Sequence, residues 1–344
     1  MASPPPAPVD APYLPAGVAG KTILITGGAS GFGAAFSRHW AKHGAYIMIG
    51  DIDETAGEKL VAELRMSTKS PHHHFQVCDV TRWQSQVSLF QMARRASPTG
   101  TIDAVVPCAG VGEDMGGSYW RFEHPTGLDH DRPPPPKFRV MDVNLTGVMY
   151  TIYLGLFWLQ QAEGGAAQKD RHILLVGSIG GLLPLVGSTQ YTASKHALTG
   201  LFRCLRLSAW QKGIRINMLC PVFVDTKMLA NPVMFVLAGG GGLADMADVV
   251  DAATRFMADQ TYWGRSVVIG PRMKVEDGED GEVKLIGLPK DGKGVWECYA
   301  QDYQSVEAFI YRYTRLLIAV AKLRGWFGWL VDALYIKVFR KSEK

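Results

Sequence analysis

The amino-acid sequence predicts an α/β fold, with a single doubly wound parallel sheet followed by a C-terminal helical extension. Short apolar runs alternate with longer amphipathic stretches from residue 21 to about residue 270. Most of these runs are continuously apolar, which is typical of parallel strands that are covered on both faces. A chain of 344 residues, 47% of them hydrophobic, suffices for one large globular domain with an extension.

Seven apolar runs are candidate strands, and the segments between them are long enough for crossover helices. The runs are KTILIT (21–26), AYIMIG (45–50), HFQVCD (74–79), IDAVVP (102–107), HILLVG (172–177), IRINMLC (214–220) and RSVVIG (265–270). Residues 1–19 are rich in Pro and Ala and lack the pattern of a signal peptide, which predicts a flexible leader. We therefore predict an α/β domain over residues 20–272 and a helical extension over residues 273–344.

Two irregular segments interrupt the alternation. Residues 111–139 are rich in Gly, Pro and charge, and no regular element fits them. Residues 227–247 include AGGGGLAD, which predicts a mobile loop. Both segments follow the carboxyl ends of candidate strands, and this is the edge at which open α/β sheets bind ligands.

The C-terminal extension has a helical pattern from about residue 302. One face carries Phe309, Tyr313, Leu316, Leu317 and Val320, and the other carries Arg312, Arg315 and Lys322. Residues 325–339 are apolar nearly all round but fall short of the ~20 residues that span a bilayer. The segment 325–344 has three interpretations: packing on the substrate loops, contact with a partner subunit, or a membrane-surface helix with Trp326, Phe327 and Trp329 at the headgroups.

The composition argues against several classes of protein. A net charge of +4, without a basic run interleaved with aromatic residues, argues against nucleic-acid binding. The five cysteines are an odd number and include no C-x-x-C pair, which argues against a disulfide framework and a zinc site and favours a reducing, cytoplasmic compartment. The adjacent His72, His73 and His74 predict a solvated turn rather than a metal site, so we expect no bound metal.

The first candidate strand ends in a glycine-rich turn that suits a dinucleotide. TGGASGFG (26–33) lies between a strand and a helix, so its backbone can approach a pyrophosphate at the positive end of the helix. Asp51 ends the second strand, where a carboxylate can accept hydrogen bonds from the adenosine ribose and would repel a 2′-phosphate. Neither Ser30 nor Ile52 supplies a positive charge. The sequence therefore favours NAD(H) over NADP(H), with Asp79 at the end of the third strand facing the adenine amino group.

Tyr191 and Lys195 are one helical turn apart in QYTASKHALTG (190–200). Side chains at i and i+4 lie on the same face of a helix, so the phenol and the ammonium can converge on one point. A phenol is a poor proton donor or acceptor at neutral pH, and a nearby cation stabilises the phenolate. The spacing therefore suits general acid–base chemistry on an alcohol or a carbonyl.

Taken together, these motifs resemble the short-chain dehydrogenase/reductase family over about residues 20–270. The motifs that carry the resemblance are TGGASGFG (26–33), CDV (78–80), CAG (108–110), VNLTG (143–147), Ser178, YTASK (191–195) and CPVFVDT (220–226). Within the family, YLGLFWLQQ, GLLPL and FVDT look most like the NAD-dependent 15-hydroxyprostaglandin dehydrogenase branch. The resemblance implies a Rossmann-fold catalytic domain over residues 20–272.

The resemblance also implies roles for four residues. Tyr191 would be the acid/base, and Lys195 would stabilise its phenolate and hydrogen-bond the nicotinamide ribose. Ser178 would orient the substrate oxygen. Asn144 would hold a water that links Lys195 to solvent.

The cofactor contacts that the resemblance implies lie at the carboxyl edge of the sheet. They are Gly27, Ser30, Gly31, Phe32, Gly33, Asp51, Ile52, Asp79, Val80, Cys108, Ala109, Gly110, Tyr191, Lys195, Pro221, Val224 and Thr226.

Two positions depart from the family's pattern. Cys108 replaces an Asn that braces the sheet beside the cofactor, and Val222 replaces a Gly, although a β-branched residue does not easily take a positive φ. Because the four catalytic positions are intact, we expect activity with altered geometry near the nicotinamide.

These observations predict an NAD(H)-dependent oxidoreductase that interconverts a secondary alcohol and a ketone by hydride transfer. The substrate loops carry many apolar residues, which predicts a lipid-like or polycyclic small molecule as substrate. They are Leu182, Leu183, Leu185, Val186, Phe223, Met228, Leu229, Met234 and Phe235. The alternatives are an isomerase or epimerase that acts through a transient ketone, and a cofactor-binding scaffold without turnover. We expect a homodimer or homotetramer, with peripheral membrane contact through the C-terminal helix as one interpretation.

Overall fold

The computed structural model describes residues 9, 11–113, 122–123, 125, 131–132, 134–161, 170–226, 242–277, 283–287 and 291–298, and parts of 312–330. The chain divides into two compact units, Met1–Cys298 and Tyr299–Lys344. The first unit holds the sheet and all of the predicted site residues.

Nine strands form one sheet in the described part of the first unit. They are β1 (Thr22–Thr26), β2 (Tyr46–Asp51), β3 (His74–Val77), β4 (Ala104–Pro107), β5 (Arg171–Val176), β6 (Ile214–Pro221), β7 (Ser266–Asp277), β8 (Val283–Gly287) and β9 (Lys293–Cys298). Their order is β3-β2-β1-β4-β5-β6-β7-β8, and β9 pairs with β7. Strands β1 to β7 pair in parallel, whereas β8 and β9 run antiparallel to β7. Since β2 and β4 flank β1 on opposite sides, the winding reverses there and leaves a crevice at the carboxyl ends of β1 and β4.

Helices cover both faces of the sheet. The main ones are α1 (Gly31–Lys42), α2 (Glu54–Thr68), α3 (Trp83–Ala96), α4 (Arg139–Trp158), α5 (Thr189–Ser208) and α6 (Met246–Ala258). One buried cluster includes Trp40 of α1 and Phe256 of α6, and a second includes Phe90 of α3 and Phe202 of α5. Two separate cores on the two faces confirm the predicted doubly wound α/β fold.

Helix α4 is the one helix, among the described residues, that is long and apolar enough to cross a membrane by length and composition. Part of this apolar helix is buried inside the domain. Val148, Ile152 and Leu154 belong to the core cluster that contains Phe90. These contacts are those of a core helix in an α/β domain.

The seven predicted strands are all present, with ends that differ by a few residues. Strands β8 and β9 extend the sheet beyond the predicted set. Because β7 passes through residue 272 and pairs with β9, the first compact unit continues to Cys298, past the boundary that the sequence indicated at 272. Of the predicted mobile loop 227–247, residues 227–241 lie outside the described residues, and Met246 already begins α6.

Part of the predicted flexible leader is packed against α6, which corrects the prediction for residues 11–19. Pro15–Val18 form a 3₁₀ turn in which Val18 is buried. A Cβ at Gly17 would lie 2.5 Å from the carbonyl oxygen of Ala258, so the chain approaches the end of α6 closely. Arg255 lies 4.5 Å from the ring centroid of Tyr13 and donates to the carbonyl of Ala11.

The second unit is helical where it is described, in short stretches between residues 312 and 330. Several of its apolar side chains are exposed. They are Tyr313, Leu316, Val320, Leu323, Trp326, Phe327 and Trp329. Phe309, Leu317 and residues 331–344, on which part of the sequence prediction depended, lie outside the described residues.

Candidate active site

The glycine-rich turn between β1 and α1 is too tight for side chains. Gly27 has φ of 66°, and a Cβ there would lie 2.5 Å from the Cα of Ala109. A Cβ at Gly33 would lie 2.3 Å from the carbonyl oxygen of Gly27. Only glycine allows this turn, and the turn brings the end of β1 against the residues that follow β4. We call this turn the glycine cradle. Because it has no Cβ atoms at Gly27 and Gly33, a pyrophosphate can approach its backbone closely.

The start of α1 leaves N–H groups available for an anion. Ser30 is the N-cap residue, but its side chain caps no N–H among the described residues. The first helical N–H groups have no acceptor within a helix, and they carry a partial positive charge. Gly31 and Phe32, predicted as cofactor contacts, lie in this first turn. The residues present therefore fit a dinucleotide, which would supply hydride-transfer chemistry when bound.

Asp51 ends β2 beside this turn and holds it. Its Oδ2 accepts a hydrogen bond from the N–H of Ala29 at 2.9 Å, and its Oδ1 accepts one from Asp53 at 3.1 Å. Asp79, beyond β3, uses Oδ1 to accept from the N–H and the hydroxyl of Thr81. Each carboxylate retains acceptor capacity for a ribose or an amino group. Ile52 is 65% exposed next to Asp51 and brings no charge.

Lys195 is buried beneath the crevice. Its exposed fraction is 7%, and its Nζ donates to the carbonyl of Val176 at 3.0 Å. The same Nζ lies 5.6 Å from the ring centroid of Tyr191. The phenol and the ammonium therefore converge as their spacing on α5 predicts.

Ser178 follows β5 and shapes the surface on which Tyr191 lies. Its Oγ accepts from the N–H of Gly180 at 3.1 Å, which caps the 3₁₀ turn Ile179–Gly181. A Cβ at Gly180 would lie 3.2 Å from the Cε1 of Tyr191, and one at Gly181 would lie 2.7 Å from the carbonyl oxygen of Lys195. The turn that follows Ser178 therefore packs on α5 at Tyr191 and Lys195, the two predicted catalytic positions on that helix.

Asn144 lies in a π-helical stretch of α4, Asp142–Gly147. Its Nδ2 donates to the carbonyl of Val111 at 2.8 Å, and its Oδ1 accepts from the N–H of Val111 at 2.8 Å. Widened helical turns often occur at functional sites. Both polar atoms of the side chain thus hydrogen-bond the segment that follows β4. The water-binding role of Asn144 stays a prediction.

Cys108 occupies the position where the family has an amide. Its N–H donates to the carbonyl of Thr26 at 3.1 Å, so β4 stays joined to β1 without the amide. Burial raises the pKa of the Cys108 thiol to about 12, although the charge of Lys195 and the N–H of Gly33 oppose this shift. The thiol is therefore neutral at physiological pH and packs in the crevice as a small apolar group.

Val222 is accommodated without backbone strain. Its N–H donates to the carbonyl of Ile269 at 2.8 Å. Among the described non-glycine residues, Lys69 alone has a positive φ. The chain after β6 therefore follows a path that does not need the left-handed conformation, so the expected strain at this departure is absent. Val224, a predicted cofactor contact, forms a bridge with Ala244.

Exposed apolar side chains occur among the described residues of the predicted substrate loops. Leu183 is 56% exposed and Val186 is 97% exposed. Leu185 and the Tyr191 ring both lie close to Gly180, because a Cβ there would be 2.9 Å from the Leu185 side chain and 3.2 Å from the ring. Four of the predicted substrate residues lie outside the described residues: Met228, Leu229, Met234 and Phe235.

A groove of about 1030 Å³ lies elsewhere, between α1, α6 and the edge formed by β7 and β9. Its lining includes Arg38, His39, Asp248 and Arg272, but none of the four predicted catalytic residues. Arg38 pairs with Glu63, and Arg272 pairs with Asp248. We therefore take the crevice at the carboxyl ends of β1, β4 and β5, and not this groove, as the candidate active site.

Comparison with known proteins agrees with this arrangement. The family model described as short chain dehydrogenase matches residues 21–233. The 5'-hydroxyaverantin dehydrogenase of Dothistroma septosporum is 35% identical over 284 residues, which cover 78% of this chain and 92% of that protein. The 15-hydroxyprostaglandin dehydrogenase [NAD(+)] of Mus musculus is 30% identical over 62% of this chain and 70% of its own length. Relatives named as NADP-dependent dehydrogenases also match.

A solved structure supports the fold. The 3-ketoacyl-(acyl-carrier-protein) reductase from Brucella melitensis, complexed with NADH, superimposes with a TM-score of 0.60. It is 24% identical and covers 73% of this chain and 97% of its own. At this identity the likeness shows the architecture alone.

Proposed function

The chain belongs to the short-chain dehydrogenase/reductase family of oxidoreductases, and from that premise we propose that it interconverts a secondary alcohol and a ketone on an apolar small molecule, using NAD(H). The observation that carries the proposal is the packing of the Ser178 turn against Tyr191 and Lys195 at the edge of a glycine cradle. The nearness of this turn to the phenol and the ammonium supports proton transfer beside a bound dinucleotide.

The residues of the chain would handle the proton. Tyr191 would take the proton of the substrate hydroxyl during oxidation and return it during reduction. Lys195 would stabilise the phenolate through its charge, since its Nζ lies 5.6 Å from the tyrosine ring centroid. Ser178 would donate its hydroxyl to the substrate oxygen and orient the carbinol carbon.

Asp51 supports NAD(H) as the cofactor. A carboxylate at the end of β2 can accept hydrogen bonds from a ribose and repels a 2′-phosphate, and the adjacent Ile52 offers no cation. The relatives include both NAD- and NADP-dependent enzymes, so the preference rests on this strand end. The exposed Leu183 and Val186 support an apolar substrate, as do relatives named for hydroxyaverantin and hydroxyprostaglandin.

A cofactor-reduction screen tests the proposal. The full-length protein is incubated with a panel of apolar secondary alcohols and either NAD or NADP, and reduced nicotinamide is followed by fluorescence. We expect at least one alcohol to be oxidised, with a higher kcat/KM for NAD. Conversion of a substrate without net reduced cofactor would instead indicate an isomerase or epimerase, and cofactor binding without any conversion would indicate a scaffold.

We also propose that the chain self-associates through α4 as a homodimer or homotetramer. Met149, Tyr153 and Phe157 are spaced four residues apart on one face of α4 and are 47%, 66% and 52% exposed. Trp83 of α3 extends this surface, with its ring 6.0 Å from that of Tyr153. A contiguous exposed apolar patch normally marks an interface. Tyr153→Glu should reduce the mass measured by light scattering, and an unchanged mass would refute this assignment.

For the second unit we propose an interaction role in a cytoplasmic protein. Its exposed aromatic side chains, such as Trp326 and Trp329, favour contact with a partner subunit, the substrate loops or a membrane surface. Deleting residues 325–344 should change the oligomer mass, KM for an apolar substrate, or co-sedimentation with anionic vesicles. A truncated protein that matches the full chain in all three would refute the role.

A further inference from the structure

The first turn of α5, which carries Tyr191, receives its capping group from a distant loop. Ser188 is the N-cap residue, yet its side chain makes no capping bond to the described residues. The first N–H groups of a helix have no acceptor within the helix. Glu113 supplies one, because its Oε1 accepts from the N–H of Gln190, the residue before Tyr191, at 2.6 Å.

Glu113 is itself held in place by a predicted catalytic residue. It lies two residues after Val111, whose N–H and carbonyl both bond to the side chain of Asn144 at 2.8 Å. Asn144 is 1% exposed and fixed in the π-helical stretch of α4. A short connection therefore runs from Asn144 through Val111 and Glu113 to the backbone of Gln190, the residue before Tyr191.

Two further contacts hold the same turn of α5. The Nε2 of Gln190 donates to the carbonyl of Lys137 at 2.9 Å, and the hydroxyl of Thr189 donates to the carboxylate of Glu123. These contacts bind side chains of the turn. Glu113 differs from them, because it binds the backbone directly, at the N–H of Gln190 next to Tyr191.

We propose that Glu113 is a positioning residue for the acid/base chemistry. Its carboxylate closes the N-terminal turn of α5 from the loop after β4 and thereby fixes the Tyr191 phenol relative to Ser178 and Lys195. The inference rests on the proposed function, because it assigns to Glu113 the geometry of that reaction. A small displacement of a reacting group lowers the reaction rate by a large factor. Loss of a residue that positions the tyrosine should therefore lower kcat.

The charge of Glu113 is part of this role. A negative group is favoured at a helix N-terminus, where the partial charge is positive. Burial raises the pKa of Glu113 and the neighbouring Glu123 adds to this effect, while the N–H groups of Gln190 and Tyr191 oppose it. The Oε2 atom is buried and has no hydrogen-bond partner among the described residues. Protonation of the carboxylate would remove this charge and weaken the cap.

Three variants test the proposal: Glu113→Ala, which removes the acceptor; Glu113→Gln, which keeps one carbonyl acceptor without the charge; and Glu123→Gln as the matched control at the same helix end. We expect Glu113→Ala to lower kcat about tenfold or more, with the NADH Kd within about twofold of wild type. Glu113→Gln should be intermediate at neutral pH, and its kcat should lack the fall on mild acidification that wild type shows. Glu123→Gln should remain within about twofold of wild type.

A kcat for Glu113→Ala within about twofold of wild type would overturn the proposal. So would a pH profile of Glu113→Gln that superimposes on that of wild type, and this comparison decides the matter if Glu113→Ala does not fold. If the wild-type protein oxidises no alcohol, the proposed function fails separately. Amide hydrogen exchange at Gln190 and Tyr191 then tests the cap: faster exchange in Glu113→Gln than in Glu123→Gln supports it, and equal exchange refutes it.

Discussion

Asp170→Asn should destabilise the domain strongly while sparing the active site. Asp170 precedes β5 at the amino edge of the sheet, opposite the edge that carries Tyr191. Its two carboxylate oxygens accept from Nε and Nη2 of Arg215 at 2.6 and 2.7 Å, and Oδ2 also accepts from Lys21 at 2.7 Å. Burial alone would raise the pKa of Asp170, but the hydrogen bonds and charges of Arg215 and Lys21 outweigh it and hold the pKa well below its ordinary value.

The size of the effect follows from the burial of the three charges. The side chains of Lys21, Asp170 and Arg215 are 12%, 5% and 10% exposed. Removing one partner of a buried ion pair costs about 3–5 kcal/mol, because the other charge is left uncompensated. Arg215 also donates to the carbonyls of Phe256 and Tyr262, and Lys21 donates to the carbonyl of Met257. These hydrogen bonds remain in the variant and partly stabilise the two buried cations. We therefore expect the lower end, about 3 kcal/mol.

Urea unfolding followed by circular dichroism measures this loss. A change of about 3 kcal/mol in the free energy of unfolding corresponds to a Tm about 6–12 °C lower for a domain of this size. Glu63→Gln is the matched control, since the Arg38–Glu63 pair is 51% and 43% exposed and such pairs contribute less than about 1 kcal/mol. The reasoning is refuted if Asp170→Asn is no more destabilising than Glu63→Gln, or if it weakens NADH binding at temperatures where it is folded.

Three further predictions concern other parts of the chain. Burial, with the charges of Arg65 and the neighbouring histidines, lowers the pKa of His73 from 6.5 to about 4. Because the unfolded chain then binds a proton at a higher pH than the folded protein does, the free energy of unfolding should fall by up to about 3 kcal/mol as the pH drops from 6.5 to 4. His73→Asn should reduce this fall in urea titrations. Gly33→Ala should abolish tight NADH binding in fluorescence titrations, because the new Cβ would clash with the carbonyl of Gly27. Gly200→Ala is the control: the space around Gly200 is open, so this variant should bind NADH normally, and its free energy of unfolding should rise by about 0.5–1 kcal/mol. Asp51→Ala should narrow the preference for NAD over NADP in kcat/KM, and a wild type that prefers NADP would refute the role of this strand end.

Much of the fold was accessible from the sequence, because β1, β2, β4 and β5 are short, continuously apolar runs. Such runs are what strands buried on both faces require. Strands β8 and β9 gave no comparable signal: they lie among Gly, Asp and Lys residues in 283–298, and their pairing with β7 is decided by tertiary context.

The histidines after α2 show the limit of local reasoning. The sequence predicted a solvated turn for His72, His73 and His74, and this is wrong for His73. His73 is 1% exposed, accepts from the N–H of Ile47 at 3.2 Å and lies 3.0 Å from the hydroxyl of Thr68. Polarity predicted exposure, but the side chain fills a polar site between α2 and β2.

The candidate site was predicted best where spacing carries the chemistry. Tyr191 and Lys195 share a helix face, so their convergence follows from the sequence alone. Glu113 was missed because it is a single acidic residue in a Gly-rich segment, and its bond to Gln190 joins positions 77 residues apart. No periodicity or local motif signals a contact of that kind. The amide of Asn144 was likewise predicted as a functional group, whereas its bonds to Val111 depend on how α4 packs against the end of β4.

The central claim is that Tyr191 is the acid/base of a nicotinamide-dependent alcohol oxidation, and Tyr191→Phe tests it most directly. The variant removes one hydroxyl from a ring that packs on the Ser178 turn, so the fold and the glycine cradle should stay intact. With an alcohol that the wild type oxidises, we expect kcat to fall by roughly 10² or more, with NADH affinity within about twofold of wild type. Tyr153→Phe, on the exposed face of α4, should retain wild-type turnover. Near-normal turnover by Tyr191→Phe would contradict the account.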